Sequence, residues 1–342
     1  MASQRDVKNR IASVKNIQKI TRAMEMVAAA RLRRAEQRIA RLRPYAEAIR
    51  RMTYQAAQAA GAEAANLPLL REREQVQNVG LLLVTGDRGL AGAFNSQIIR
   101  AGVRGGAELA DQGQQTVWYA TGRRGVSSLT FRGRELAGSY TGFADRPAYA
   151  DARGIADDLI AAYVDGKLDR VDILYNSYVS PLTQHVTRET LLPLSQAAIM
   201  GEGAQGDAAP GEGQRGSVTS DRQGASGTSD RQGASGAGDR KDASGAGSPE
   251  GHGGVPHALV EYEPGPEEIL KRLVPDYVEI SIYRALIEST AGFFGAQMTA
   301  MRNASENAGT LIEDYTLQMN RARQAEITQE IMEVVAGAEG LT

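Results

Sequence analysis

The sequence predicts an α/β chain: a long antiparallel two-helix coiled coil built from the N- and C-termini, with a Rossmann-like α/β domain inserted between them. Three observations lead there. Apolar residues recur at steps of three and four along both ends of the chain. Between the ends, short apolar runs alternate with helical stretches. Charge is segregated: residues 1–51 hold 14 Lys/Arg against four acids and residues 276–342 hold ten acids against four arginines, so the net charge of −2 over 342 residues is a cancellation.

The N-terminal segment, 1–60, carries Val7, Ile11, Val14, Ile17, Ile20, Met24, Val27, Leu32, Ala35, Ile39 and Leu42 as its stripe. Ser3 is a candidate cap, and Pro44 is expected to kink the helix locally without ending it. A helix over 3–58 would be about 80 Å long. The C-terminal segment, 267–342, continues the same pattern through Ile282, Leu286, Phe293, Met298, Met301, Ala308, Leu311, Met319, Ile327, Ile331 and Val334, with no proline after Pro275, a helix well beyond the diameter of a small domain. Rods of this length outrun a single globule. They are expected to pair with each other through a seam of alanine and methionine, with the basic and acidic blocks face to face. The methionines read as seam filling or, alternatively, as a ligand-binding surface.

Residues 76–194 form the inserted domain. Val76–Thr85 reads as a buried parallel strand, Phe94–Gly105 as a helix and Thr116–Thr121 as a second strand. Tyr149–Val164 reads as a helix, Val171–Val179 as a third strand and Gln184–Leu192 as a fourth. Residues 195–256 break the pattern. From 201 to 254 there are 16 glycines and one strongly apolar residue, Val218, and the octapeptide SDRQGASG occurs at 220–227 and again at 229–236. Such a composition cannot bury enough surface to order itself, so a disordered insertion is expected.

The chain offers few carriers of chemistry. There is no cysteine, hence no disulfide, thiolate metal site or thiol nucleophile, and a cytosol-facing protein is expected. His185, His252 and His257 share no metal spacing, no serine sits in a nucleophile elbow, and no apolar run is long enough to span a bilayer. No secretory h-region follows Arg5, Lys8 and Arg10. No catalytic, cofactor or metal residue is therefore assigned. Two features remain open. Gly86-Asp87-Arg88-Gly89-Leu90-Ala91-Gly92 follows a strand and opens a helix, so it could cradle a phosphate in a nucleotide-binding α/β protein, or it could be a tight turn requiring positive φ. The basic face with Arg31, Arg33, Arg34, Arg38, Arg41 and Arg43 could meet nucleic acid, but acidic protein surfaces suit it better.

Three long motifs then carry a resemblance. Residues 10–29 (RIASVKNIQKITRAMEMVAA), 87–95 (DRGLAGAFN) and 322–331 (ARQAEITQEI) are similar, in that order, to the gamma subunit of rotary F-type ATP synthases of bacterial type. The resemblance covers nearly everything outside about 195–256. It implies a central-stalk rotor standing inside a ring of alpha and beta subunits, touching the epsilon subunit and the membrane ring of c subunits. It further implies a non-catalytic role in coupling proton flow to ATP synthesis or hydrolysis, at the cytoplasmic face of the cell membrane. Carried over by position, Arg323, Gln324 and Thr328 match residues that touch a beta-subunit catch loop, and Met24 one that faces a beta subunit's acidic lever segment. The insertion departs from the common pattern. Plant members carry an extension there with a redox-active cysteine pair, a switch this cysteine-free chain cannot operate.

Overall fold

The computed structural model describes residues 4–61, 64, 67–71, 73, 75–194 and 265–339; the insertion expected over 195–256 lies outside them. Two helices dominate. Helix α1, Gln4–Ala60, runs through Pro44, and helix α5, Pro266–Glu339, runs through Pro275. At 1.5 Å per residue they are about 85 Å and about 110 Å long. They pack antiparallel, as Gln18 and Thr21 of α1 meet Ser305 of α5 and Glu25 meets Arg302.

Their seam differs from the stripe drawn from apolar residues alone. The α1 positions turned toward α5 are Val7, Ile11, Val14, Gln18, Thr21, Glu25, Ala28, Leu32 and Ala35, all buried or half-buried. These alternate steps of four and three, the 3.5-residue repeat of a two-helix supercoil. Met301, Ser305, Ala308, Ile312, Tyr315 and Met319 do the same on α5. Ile17, Ile20 and Val27, expected in the seam, are instead 50%, 59% and 53% exposed. The seam gives their places to Gln18 and Thr21, whose amide and hydroxyl bond Ser305 across the interface at 3.2 and 2.6 Å. Polar contacts of this kind fix register.

The expected pairing of a basic block with an acidic one is also corrected. An ion pair joins the helices, but in the opposite sense to their net charges: Arg302 of acidic α5 holds Glu25 of basic α1 at 2.9 Å. Arg33, Arg34, Arg41 and Arg43 point outward, exposed. Water solvates an arginine better than a narrow alanine seam can, so the charges stay on the outer faces.

The inserted domain has five strands: β1 (Asn78–Val84), β2 (Gln115–Thr121), β3 (Leu136–Tyr140), β4 (Arg170–Tyr178) and β5 (Gln184–Leu192). Their order is β3-β2-β1-β4-β5, with the first four parallel and β5 antiparallel to β4. Helices α2 (Phe94–Asp111), α3 (Arg123–Phe131) and α4 (Tyr149–Val164) connect the parallel strands. The sequence reading missed α3 and β3. Strand β3, Leu-Ala-Gly-Ser-Tyr, is an edge strand with only half-buried alternate residues, and α3 has just nine residues, so neither leaves a strong periodic signal.

Two cores flank the sheet. On one face Leu82, Tyr119, Ile173 and Tyr175 pack with α4 (Ile155, Leu159, Tyr163) and with the lower parts of α1 and α5 (Ala56, Ala60, Leu270, Val278, Ile282). On the other, Leu81, Leu83, Trp118 and Leu174 pack with Ile98 of α2 and Leu129 of α3, and this core continues to Leu32, Ala35, Phe293 and Phe294 of the long helices. The helices therefore stand on and cross the domain.

Gly122, between β2 and α3, has φ +82°, and a Cβ there would lie 2.2 Å from the Thr85 carbonyl oxygen. Both the left-handed backbone and the clash with main chain oppose a side chain. Gly122→Ala should therefore cost at least about 3 kcal/mol, read as a lower urea midpoint at an unchanged m-value.

Candidate functional site

The place to look for a ligand in a mostly parallel sheet is the crevice at the C-terminal strand ends, where β1 turns into α2 and the strand order reverses. Here that crevice is filled. Thr85, Gly86, Phe94 and Thr121 from the domain meet Leu286, Ser289, Thr290 and Phe293 of α5, leaving about 10 Å³, room for one water at most. Phe293 stacks edge-on with Phe94 at 5.6 Å and lies so close to Gly86 that a Cβ there would be 3.0 Å from its ring.

The glycine-rich loop is itself fully engaged. The Asp87 carboxylate accepts N–H bonds from Arg123 (3.0 Å), Gly142 (3.0 Å) and Ala144 (3.1 Å), tying the β1, β2 and β3 ends together. These are donors a bound anion would otherwise recruit, and the chain supplies its own anion to them. Asn95 locks the turn from the other side, accepting from Gly86 N–H at 2.8 Å and donating to the Arg88 carbonyl at 3.1 Å. Of the three loop glycines only Gly92 has positive φ; Gly86 lies tight against the Phe293 ring, while Gly89 faces only the movable end of Arg124. The loop is a brace, and its geometry does not support a phosphate cradle.

A second hollow, open and about 340 Å³, lies at the opposite edge among Glu108, Arg170, Asp172, Arg188 and Thr190. Its charges satisfy one another: Asp172, almost fully buried, takes Arg188 at 2.7 Å, Arg170 at 3.3 Å and the Thr190 hydroxyl at 3.0 Å. No group of three or more metal-ligating side chains occurs among the described residues.

The residues carried over from the resemblance lie along the long helices and do not converge. The inter-helix contacts place the start of α1 opposite about residue 322 of α5, so Arg323 to Glu339 extend beyond α1 as a single helix of about 25 Å. Arg323, Gln324 and Thr328 are exposed on this extension, and the Thr328 hydroxyl donates to the Gln324 carbonyl at 2.8 Å. Met24 is half-buried beside the seam, about 30 Å down the rod.

Comparison with known proteins agrees with this architecture. A family model described as ATP synthase matches residues 3–341. A protein of Rubrobacter xylanophilus called ATP synthase gamma chain is 40% identical over 342 residues, covering 100% of this chain and 99% of its own length. The chain belongs to the ATP synthase gamma chain family. Gamma chains of Nostoc punctiforme and Frankia casuarinae, each 36% identical, cover 100% of this chain and 100% and 99% of themselves. The fold is also similar to chains in two cryo-EM structures of mitochondrial ATP synthase. One is from Euglena gracilis (TM-score 0.59, 13% identity, covering 99% of this chain and 94% of that one). The other, titled central stalk and c-ring, is from Tetrahymena thermophila (TM-score 0.52, 21% identity, 84% and 99%).

The junction between helices and domain is what sequence reasoning overlooked, because its contacts join positions more than a hundred residues apart. Glu288 of α5 shows the cost of placing charge there. Burial pushes its carboxyl above the ordinary range near 4.5, against the opposing pull of Arg284 and of bonds from the Tyr178 N–H (3.3 Å) and the Ser177 hydroxyl (3.1 Å). A carboxyl whose folded pKa is raised is protonated more readily in the native state, so its contribution to stability falls as pH rises from the ordinary carboxylate value through the folded one. Glu288→Gln should remove that decline, so that its unfolding free energy relative to wild type improves as pH is raised. Asp87→Ala should cost about 1–3 kcal/mol in chemical unfolding, because three main-chain donors lose their acceptor. Equilibrium dialysis of the isolated wild-type chain against ATP should show no saturable binding.

Proposed function

We propose that this chain is the central-stalk rotor of an ATP synthase, transmitting torque between a membrane ring of c subunits and a catalytic ring of alpha and beta subunits. It is a non-catalytic subunit: the ligand crevice is plugged by its own helix, and its relatives are gamma chains. In this reading residues 1–60 and 267–342 are the shaft, 76–194 the domain at its base, and 195–256 an insertion in the sequence. The epsilon subunit sits beside the domain, and the assembly stands at the cytoplasmic face of the membrane, coupling proton flow to ATP synthesis or hydrolysis.

The observation that carries the reading is the apolar surface left outside the seam. Ile327, Ile331 and Val334 are 43%, 57% and 72% exposed at helical spacing on the single-helix extension, and Ile17, Ile20 and Val27 are exposed on α1. Stripes of this kind on both helices need a protein sheath. A rod inside a ring supplies one. An off-centre rod in a symmetric ring also gives each catalytic site a different neighbour, so turning it shifts the sites' conformations in sequence.

Arg323, Gln324 and Thr328 at the extension and Met24 below are proposed as contacts to beta subunits. Reconstitution with alpha and beta subunits should show cooperative ATPase activity only when this chain is present. In the full membrane complex, c ring included, Gln324→Ala combined with Thr328→Ala should lower proton pumping per ATP several-fold with assembly intact. Unchanged pumping and ATPase rates would remove those two residues from the coupling path.

A further inference from the structure

A shaft that transmits torque must not turn within its own base, and the apolar cores alone do not prevent that. Burial of apolar surface is non-directional and tolerates small rotations of one body on another, whereas hydrogen bonds and close ion pairs weaken steeply with distance and angle. Polar contacts between the long helices and the domain are the ones that can hold an angle. Besides the Arg153–Glu279 pair between α4 and α5 (3.8 Å) and the long Asn176 N–H bond to Ser289 (3.5 Å), they form two groups.

In the first, Asp145, in the loop between β3 and α4, binds Arg31 of α1 at 3.3 Å and Arg88 of the β1–α2 loop at 3.4 Å. The neighbouring Ala144 donates its N–H to Asp87, and its carbonyl lies 2.9 Å from the Thr290 hydroxyl of α5, whose one proton it shares with the Leu286 carbonyl at 2.8 Å. Arg31 also lies over the Phe294 ring of α5, 5.5 Å from its centre. One short loop thus grips both helices.

In the second, Tyr178 at the end of β4 donates its hydroxyl to Glu36 of α1 at 2.6 Å, while Glu288 of α5 accepts from Tyr178 N–H and the Ser177 hydroxyl. Arg284 of α5 reaches Glu189 of β5 at 2.7 Å. Thr290 and Glu288, which anchor the two groups on α5, are two residues apart and so lie about 160° apart around the helix. Arg31 and Glu36, their counterparts on α1, are about 140° apart.

We infer that these two clasps, one through Asp145 and one through Tyr178, key the α/β domain to the shaft against rotation and set the torsional stiffness of the joint. A single clasp would leave a pivot. Two, leaving each helix in directions about 140–160° apart, resist a twist of either helix against the domain whichever way it turns. The residues concerned touch no catalytic group, and their role is positional. The inference rests on the rotor reading above.

The test uses the assembled complex with the alpha/beta ring fixed to a surface and a bead on the α/β domain, followed during catalytic pauses. Asp145→Ala and Tyr178→Phe are made singly and together. Ile155→Val, a core change in the same domain that touches neither clasp, controls for general loosening. Mean-square angular fluctuation varies inversely with stiffness, so the double variant should broaden the bead's angular variance at least about twofold, with each single variant between it and wild type. Ile155→Val should keep the wild-type width. An unchanged variance in the double variant would overturn the keying, as would equal broadening by Ile155→Val. A wild-type bead that fails to rotate on ATP addition would instead reject the rotor reading itself.

Discussion

Everything in this structure hangs on the antiparallel seam between α1 and α5. Neither helix could stand alone at such length in water with an apolar stripe exposed. Pairing them brings distant parts of the chain together and leaves the α/β domain, β1 to β5, to fold beside the pair. The seam is narrow because alanines line it: Ala28, Ala35 and Ala308 are buried and small, which lets the backbones approach. Thr21 and Ser305 then set which residues meet. That register fixes how far α5 projects past α1, and so creates the free single-helix tip.

The same helix decides what the domain can be. A parallel sheet with a glycine-rich turn after its first strand has the layout of a nucleotide-binding fold. In this chain α5 crosses the strand ends and puts Phe293 against Gly86, while Asp87 takes the loop's main-chain donors. A crevice that elsewhere admits a ligand here accepts a helix. The domain is a mount for the helices that stand in it, with Asp145 and Glu189 turned to arginines of those helices while Asp172 pairs with Arg170 and Arg188 inside the domain.

Much of this was legible in the sequence. Strand β5 was readable residue for residue as Gln184–Leu192, since its alternation is strong, and β1, β2 and β4 to within two residues. Helix α2 ran past Gly105 to Asp111 because Gly102, Gly105 and Gly106 lie buried within it, where packing overrides their poor helix propensity. The errors in the seam have one cause. A rule that follows apolar residues places Ile17, Ile20 and Val27 inside, but they belong to an outer face that only a partner would cover, while Gln18 and Thr21 occupy the inner one.

Residue order alone specifies the kind of object: two long helices of opposite charge, an α/β insertion and the three motifs that mark its family. Periodicity and motif are local properties, written in residues a few positions apart. Tertiary structure alone decided which face of each helix became the seam, that the glycine loop is occupied by Asp87, and that Asp145 and Tyr178 tie the domain to the rod. Those are matters of which distant groups come within bonding distance, and only the folded chain brings Arg31 to Asp145 across 114 positions or Glu36 to Tyr178 across 142.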